Sequence, residues 1–309
     1  MPQGTSRAIP GLHHVTAISG PPQDNLDFWV RTLDQRLVKR TANFDDPGTY
    51  HLYYGDKGAA PGSIMTFFPF VDAGPGRAGP GMASAVAYAV PDLDRRMGEL
   101  AEAAIDFEGP FDRFGERVIA LKDPDGLRVE LIEGGARDEG FHSVTLWLEE
   151  VVATAELLEA MGYVREAEEA STTGGTDGVE ARIRYRSTDP ERGSAVDLMT
   201  SDARSIGRSG AGTIHHVAFR ARNQDEQLAW RARLSTAGQQ ITPVIDRQYF
   251  DAIYFRTPGG VLFEIATDPP GFAVDEDPAH LGEELKLPKK YEAHRDRIEQ
   301  VLPHIQVPK

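Results

Sequence analysis

Residues 11–18 read GLHHVTAI and residues 212–221 read GTIHHVAFRA. The two stretches share a glycine, a His-His pair and a valine in the same order. Working outward, two further segments fit the same frame: GMASAVAYAV from Gly81 and GFHSVTLWL from Gly140. Apolar residues alternate in each, as in a half-buried strand. A helical stretch follows every one: NLDFWVRTL from Asn25, DLDRRMGELAEA from Asp92, EVVATAELLEAMG from Glu150 and DEQLAWRARLSTAG from Asp225. Two of these end in glycine, a usual helix stop. Three strand-like runs then close each unit. In the first they are QRLVKRT, TYHLYYG and SIMTFFPF; in the last, a run near Thr242, AIYFRT and VLFEIAT. Glycine turns (APGS, DPDGL, ERGSA and TPGGV) precede the final strands and read as hairpin connections. The chain thus divides into four βαβββ units at 9–72, 81–134, 139–201 and 211–270, followed by a tail at 271–309 with a helical run from about Lys289 to Val301.

A lone βαβββ unit leaves one face of its sheet to bury. The expected fold is therefore α+β, with the four modules forming two incomplete barrels, each enclosing a cleft. This pattern resembles the vicinal-oxygen-chelate superfamily from about Ile9 to Thr267. That superfamily holds glyoxalase I, extradiol ring-cleaving dioxygenases and antibiotic-resistance proteins, so the fold is a firmer inference than the reaction.

Composition narrows the reaction. The chain has 309 residues and a net charge of -15, which disfavours nucleic-acid and anionic-membrane partners, because both need a basic face. There is no cysteine, which removes disulfides, thiolate metal sites and cysteine nucleophiles. The N-terminal MPQGTSRAIPG has no apolar signal core, and no run approaches the ~18 apolar residues of a membrane span. A cytoplasmic protein is expected.

The resemblance implies that two positions per module face the cleft and carry metal ligands. Aligning the first strands on Val15, Val86, Val144 and Val217 makes the preceding residues His14, Ala85, Ser143 and His216. Aligning the last strands on Gly62, Gly126, Gly193 and Gly260 places Thr66, Glu130, Asp197 and Glu264 four residues on. Pairing modules one and four collects His14, His216 and Glu264, with Thr66 at the fourth corner. Every other pairing considered offers one imidazole or none. Modules two and three then form a silent barrel. His142 lies one residue out of register with His14, so strict alternation turns it to the opposite face.

Two histidines and one carboxylate with open positions form the facial triad of non-haem Fe(II) oxygenases. Mn(II) suits the same donors. The competing reading of the three residues is a buried structural polar cluster. Glyoxalase-type isomerases usually carry four protein ligands, and Thr66 weighs against one.

The chain is also similar to hydroquinone-type ring-cleaving dioxygenases, including dichlorohydroquinone 1,2-dioxygenases and methylhydroquinone-linked glyoxalase-like proteins. The matching segments are GLHHVTAISG from Gly11, FWVRTLDQRLVKRTANFDD from Phe28 and YHLYYGDKGAAPGSIMTFFPF from Tyr50. They continue with TIHHVAFRA from Thr213, DRQYFDAIYFRTPGGVLFEIATDPPGF from Asp246 and LGEELKLPKKYEAHRDRIEQVLP from Leu281. The resemblance implies a metal between modules one and four, O₂ as co-substrate, a small aromatic diol as substrate, and an extradiol-type dioxygenase of the EC 1.13.11 class. It also implies supporting roles for His13, His215, Thr16, Arg247 and Tyr254. Tyr254 also reads as an amphipathic rim residue, and Arg247 as a solvated loop charge.

His51 is expected to be an ordinary polar strand residue, and His280, His294 and His304 to be exposed. In the tail, Ile298, Val301 and Leu302 make a weak apolar stripe that would pack near the active-site module or join a subunit interface in a homo-oligomer. Two other functions compete: a glyoxalase-like isomerase or lyase using Ni(II), Zn(II) or Mn(II), and a non-catalytic binder of aromatic toxins.

Overall fold

The computed structural model describes residues 7–134, 140–170, 179–201 and 206–307. A Thr/Gly-rich stretch expected to form a hairpin loop between Glu169 and Gly178 lies outside the described residues from 171 on, as do residues 135–139 and 202–205, where linkers between modules are expected.

Four similar runs of elements follow one another. The first is β1 (Leu12–Ser19), α1 (Pro22–Asp27), β2 (Arg36–Ala42), β3 (Tyr50–Gly55) and β4 (Ile64–Pro69). The second is β5 (Met82–Val90), α2 (Leu93–Glu102), β6 (Glu108–Arg113), β7 (Glu116–Lys122) and β8 (Arg128–Glu133). The third is β9 (Gly140–Trp147), α3 (Val152–Ala160), β10 (Tyr163–Ala170), β11 (Val179–Ser187) and β12 (Ala195–Ser201). The fourth is β13 (Thr213–Ala221), α4 (Gln224–Thr236), β14 (Ile245–Asp246), β15 (Phe250–Arg256) and β16 (Leu262–Pro270). A tail adds β17 (Leu285–Lys286) and α5 (Arg295–Val301).

These strands form two sheets. One runs β14-β15-β16-β13-β1-β4-β3-β2-β17 and the other β10-β11-β12-β9-β5-β8-β7-β6. The first run thus shares a sheet with the fourth, and the second with the third. Each sheet is joined at its centre by an antiparallel pair, with Val15 opposite Val217 and Val86 opposite Val144. All four valines are fully buried in one apolar core common to both sheets. Burying such a side chain is worth about 1.5–3 kcal/mol. The opposite faces are left to carry polar groups. The turn glycines Gly62, Gly126, Gly193 and Gly260 have φ of 85, 91, 64 and 92°, a region open to glycine at little cost.

The central pairs depart from strict alternation. The register slips by one between Leu12 and His14, and again where His216 and Ile214 oppose Thr16 and Ala17. His13 and His215 are therefore β-bulge residues. The β5–β9 pair slips at the equivalent places, which makes Ser84 and His142 bulge residues too. A bulge lets neighbouring side chains meet on one face. This corrects the expectation for His142: it does not turn away, but bonds through Nδ1 to Ser143 Oγ at 3.1 Å and through Nε2 to Glu116 at 3.1 Å.

Three elements differ from the sequence reading. The first helix starts at Pro22 rather than Asn25, with proline in its first turn, and widens into a π-helical turn over Phe28–Thr32. The strand near Thr242 shrinks to Ile245–Asp246. Pro243 has no N–H to donate, and Thr242 uses its own side chain, Oγ1 accepting from Tyr254 N–H at 3.0 Å. The tail run from Lys289 to His294 is 3₁₀, and only Arg295–Val301 is α-helical. Val301 is exposed, so the buried stripe is Ile298, Leu302 and Ile305. His280, His294 and His304 are exposed. Among the described residues, no helix is long and apolar enough to cross a membrane.

The second sheet holds Ala85 and Ser143 where the first holds histidine, and Glu130 and Asp197 where the first holds Thr66 and Glu264. Glu130 receives Arg113 and, at 3.0 Å, Arg128; Asp197 takes Arg184 through two bonds of 2.7 and 3.0 Å. Burial acts to raise the Glu130 carboxyl, but Arg113, Arg182 and Arg128 together bring it down to about 2 from the ordinary 4.5. Its folded value lies below its unfolded one. It therefore contributes stability above about pH 4.5 that is lost as pH falls toward 2. Glu130→Gln should cost roughly 3 kcal/mol at pH 7, because it leaves buried guanidinium charge unpaired. In urea titrations the gap to wild type should narrow steadily below pH 4.5; a gap that does not change with pH would refute this account.

Candidate metal centre

The antiparallel pairing of β1 with β13 sets the site. With Val15 and Val217 committed to the core, His14 and His216 fall on the other face. β16 runs parallel to β13, with Glu264 beside Ala218, and supplies a carboxylate next to both imidazoles. His14 Nε2 and His216 Nε2 lie 3.3 Å apart, and Glu264 Oε2 lies 3.5 and 3.0 Å from them. One ligand atom from each residue fits within a 4.8 Å span, and all three residues are buried.

The bulge histidines set the polarity of this group. His13 Nδ1 is 3.0 Å from His14 Nδ1, and His215 Nδ1 is 2.8 Å from His216 Nδ1. Burial pushes the His13 pKa well below its ordinary value, and desolvation with the neighbouring His216 lowers that of His215, whose outer edge stays exposed. In their neutral forms both can accept a hydrogen bond from the Nδ1–H of the histidine beside them. With Nδ1–H donated outward, His14 and His216 keep their Nε2 lone pairs for the common point.

Glu264 completes the argument for a cation. Burial acts to raise its pKa, but His14 and His216 outweigh that and hold it well below the usual carboxylate range. Neither carboxylate oxygen receives an aligned hydrogen bond, although Glu264 is fully buried. Two lone pairs and an anion aimed at one point repel each other unless a positive charge sits between them. Neutral imidazole and ionised carboxylate are the forms that bind a divalent metal. The residues present therefore fit such an ion.

The fourth corner is withdrawn. Thr66 Oγ1 lies 2.8 Å from Thr16 Oγ1 and 2.9 Å from His51 Nε2, and His51 Nδ1 lies 2.9 Å from the Tyr53 hydroxyl. Thr16 is thus drawn to Thr66 rather than to the three ligand atoms. The side on which the three ligand atoms converge is open to a cavity of about 600 Å³. His14, His216, Glu264, His215, Tyr254 and Arg247 all line it, whereas His13 sits behind His14 against Phe250. Tyr254 lies across the ladder from Glu264, and Arg247 Nε donates to its hydroxyl at 3.1 Å. Burial, with Glu264 nearby, keeps the Tyr254 hydroxyl protonated by raising its pKa.

His51 and Phe250 are among the cavity residues that were not anticipated. His51 is buried, packs on Phe68 and lines the cavity. Its signal was present in the register: Tyr53 opposes Thr66, so the residue two before Tyr53 shares the face of Thr66. Phe250 packs on His14 with ring centroids 4.9 Å apart, and alternation back from Tyr254 points to it.

Comparison with known proteins gives a consistent set of relatives. The family profile described as the Glyoxalase/Bleomycin resistance protein/Dioxygenase superfamily matches residues 11–131 and 165–265. MhqO of Bacillus subtilis (strain 168), named as a candidate ring-cleaving dioxygenase, is 44% identical over 94% of this chain and 95% of its own. The chlorohydroquinone/hydroquinone 1,2-dioxygenase of Sphingobium indicum is 33% identical over 94% of this chain and 95% of its own. The crystal structure of a candidate dioxygenase from Bacillus subtilis subsp. subtilis str. 168 superposes with a TM-score of 0.88, at 41% identity, covering 98% of this chain and 99% of that one.

Adding Fe(II) or Mn(II) anaerobically to chelator-treated protein should raise its melting temperature. At a hundredfold excess over Kd the gain is about 2.7 kcal/mol. His216→Ala should abolish the rise. His13→Ala and His215→Ala leave the three ligands in place and should weaken metal affinity roughly 10–100-fold. Unchanged affinity in both would remove the bracing role assigned to the bulge histidines.

Proposed function

The chain belongs to the glyoxalase/bleomycin resistance protein/dioxygenase superfamily, and from that premise we propose that it is an Fe(II)-dependent extradiol-type dioxygenase that opens the ring of a hydroquinone-like aromatic diol. One observation carries this reading: three protein ligands, His14, His216 and Glu264, face a cavity, and the fourth corner, Thr66, is tied into hydrogen bonds elsewhere. An isomerase with four protein ligands would use that corner; an oxygenase needs it and its neighbours free. The names carried by MhqO and by the Sphingobium indicum enzyme support the same reading.

Fe(II) held by this triad would lower the pKa of a bound phenol and let phenolate and O₂ react, a step that is slow for a closed-shell ring alone. The protein's own groups do the rest. Phe44, Phe68 and Phe250 line the cavity with apolar surface that holds a ring and excludes water. The Tyr254 hydroxyl, held by Arg247, hydrogen-bonds and orients a substrate oxygen. The Arg247 guanidinium stabilises negative charge that develops on substrate oxygen. His13 and His215 fix the ring orientation of the two ligand histidines. Both atoms of O₂ remain in the opened-ring product, so no external reductant is required.

Anaerobically Fe(II)-loaded protein should consume one O₂ per ring opened when given hydroquinone, methylhydroquinone or a chlorinated hydroquinone. His216→Ala should consume none. Tyr254→Phe should retain metal but lose about 10- to 100-fold in kcat/KM, as expected for a single positioned hydrogen bond of about 1.4–2.7 kcal/mol in the transition state. Full metal occupancy with no O₂ uptake on hydroquinones or catechol would overturn the dioxygenase reading.

A further inference from the structure

The outer wall of the cavity is built by residues 43–49, between β2 and β3; Asn43, Phe44, Asp45 and Asp46 line it. The loop shapes itself. Asn43 Oδ1 accepts Asp45 N–H at 2.9 Å, Thr49 Oγ1 donates to Asp46 Oδ2 at 2.9 Å, and Asn43 N–H reaches Thr49 O at 2.8 Å. None of these bonds fixes where the loop sits relative to the metal ligands.

Two outside contacts do that. From the cavity side, Arg247 Nη1 lies 3.5 Å from Asp45 Oδ2, and its guanidinium lies 5.9 Å from the Phe44 ring centroid. From behind, the C-terminal tail delivers two donors to one acceptor: Lys290 Nζ and Tyr291 Oη reach the Phe44 carbonyl at 2.7 and 2.8 Å. The tail itself is well fastened. β17 adds in parallel to β2, with Leu285 and Lys286 beside Arg40 and Thr41, and Ile298, Leu302 and Ile305 are buried in the main core. The buried Lys39 holds Asp275 at 2.6 Å and also Glu276. A brace anchored in the core thus ends on the backbone of a residue whose side chain faces the cavity.

Resting on the dioxygenase reading, we propose that Tyr291 and Lys290 are positioning residues for substrate binding: the tail presses Phe44 and Asp45 against Arg247 and so sets how tightly an aromatic ring is held. Neither residue touches the metal ligands, so the effect belongs to binding and not to the metal.

The test compares wild type with Tyr291→Phe and with Lys290→Met/Tyr291→Phe. For hydroquinone, KM should rise roughly three- to tenfold in Tyr291→Phe and further in the double variant, with kcat within about twofold and Fe(II) affinity unchanged. In a Phe44→Ala background, Tyr291→Phe should add little, because both changes act through the same wall. Hydrogen exchange supplies a readout free of substrate: backbone amides of 43–49 should exchange several-fold faster in Tyr291→Phe, while those of β2 and α5 keep their wild-type rates. Unchanged exchange in 43–49 overturns the proposal, as does an unchanged KM or full additivity with Phe44→Ala. If wild type opens no aromatic ring, the dioxygenase reading falls, and the exchange rates of 43–49 alone decide whether the tail positions the wall.

Discussion

The pairing of β1 with β13 through Val15 and Val217 is the constraint on which the rest of the molecule depends. It joins the two ends of the repeat array, so it closes a loop that contains both middle repeats. Closing a long loop costs entropy that local contacts cannot offset, and the apolar core shared by the two sheets supplies the compensation. Once the valines are committed to that core, the period of two in a strand leaves His14 and His216 no face but the cleft. The geometry of the candidate metal site is in this sense a by-product of hydrophobic register.

The same frame, repeated in the second sheet, shows how little chemistry a fold dictates. The corners there are Ala85, Ser143, Glu130 and Asp197, and the two carboxylates are neutralised by Arg113, Arg128 and Arg184. In the first sheet Glu264 faces two imidazoles, and neither of its oxygens receives an aligned hydrogen bond. One interior is electrically complete with protein groups alone and the other is not. That difference in charge balance, rather than any difference in topology, separates a structural polar core from a site able to take a cation.

Much of this was legible before any coordinates. The four valines and four turn glycines sit at equivalent positions because burial and positive φ each demand a particular residue type, and such demands leave marks in sequence. What escaped has a physical reason as well. Alternation assumes an unbroken ladder, so the bulges that bring His13, His142 and His215 against the residues that follow them were invisible, since a bulge is a property of a pair of strands. His51 was missed through an incomplete use of register and not through a lack of signal. The tail was harder. Its short runs, Leu285–Lys286 and Arg295–Val301, have almost no periodicity to read, and their positions come from an edge strand and a core formed far away in the chain.

The bulges have a further meaning. They occur at all four equivalent positions, including Ser84 and His142, where no metal ligand stands beside them. A feature present in the half without the chemistry is not there because of the chemistry. It belongs to the architecture shared by the four repeats, and at three of them the neighbouring side chains meet: His13 with His14, His142 with Ser143 and His215 with His216. Exchanging a few residues in positions of the same shape is then enough to turn one half toward a cation and to leave the other balanced by protein charges alone.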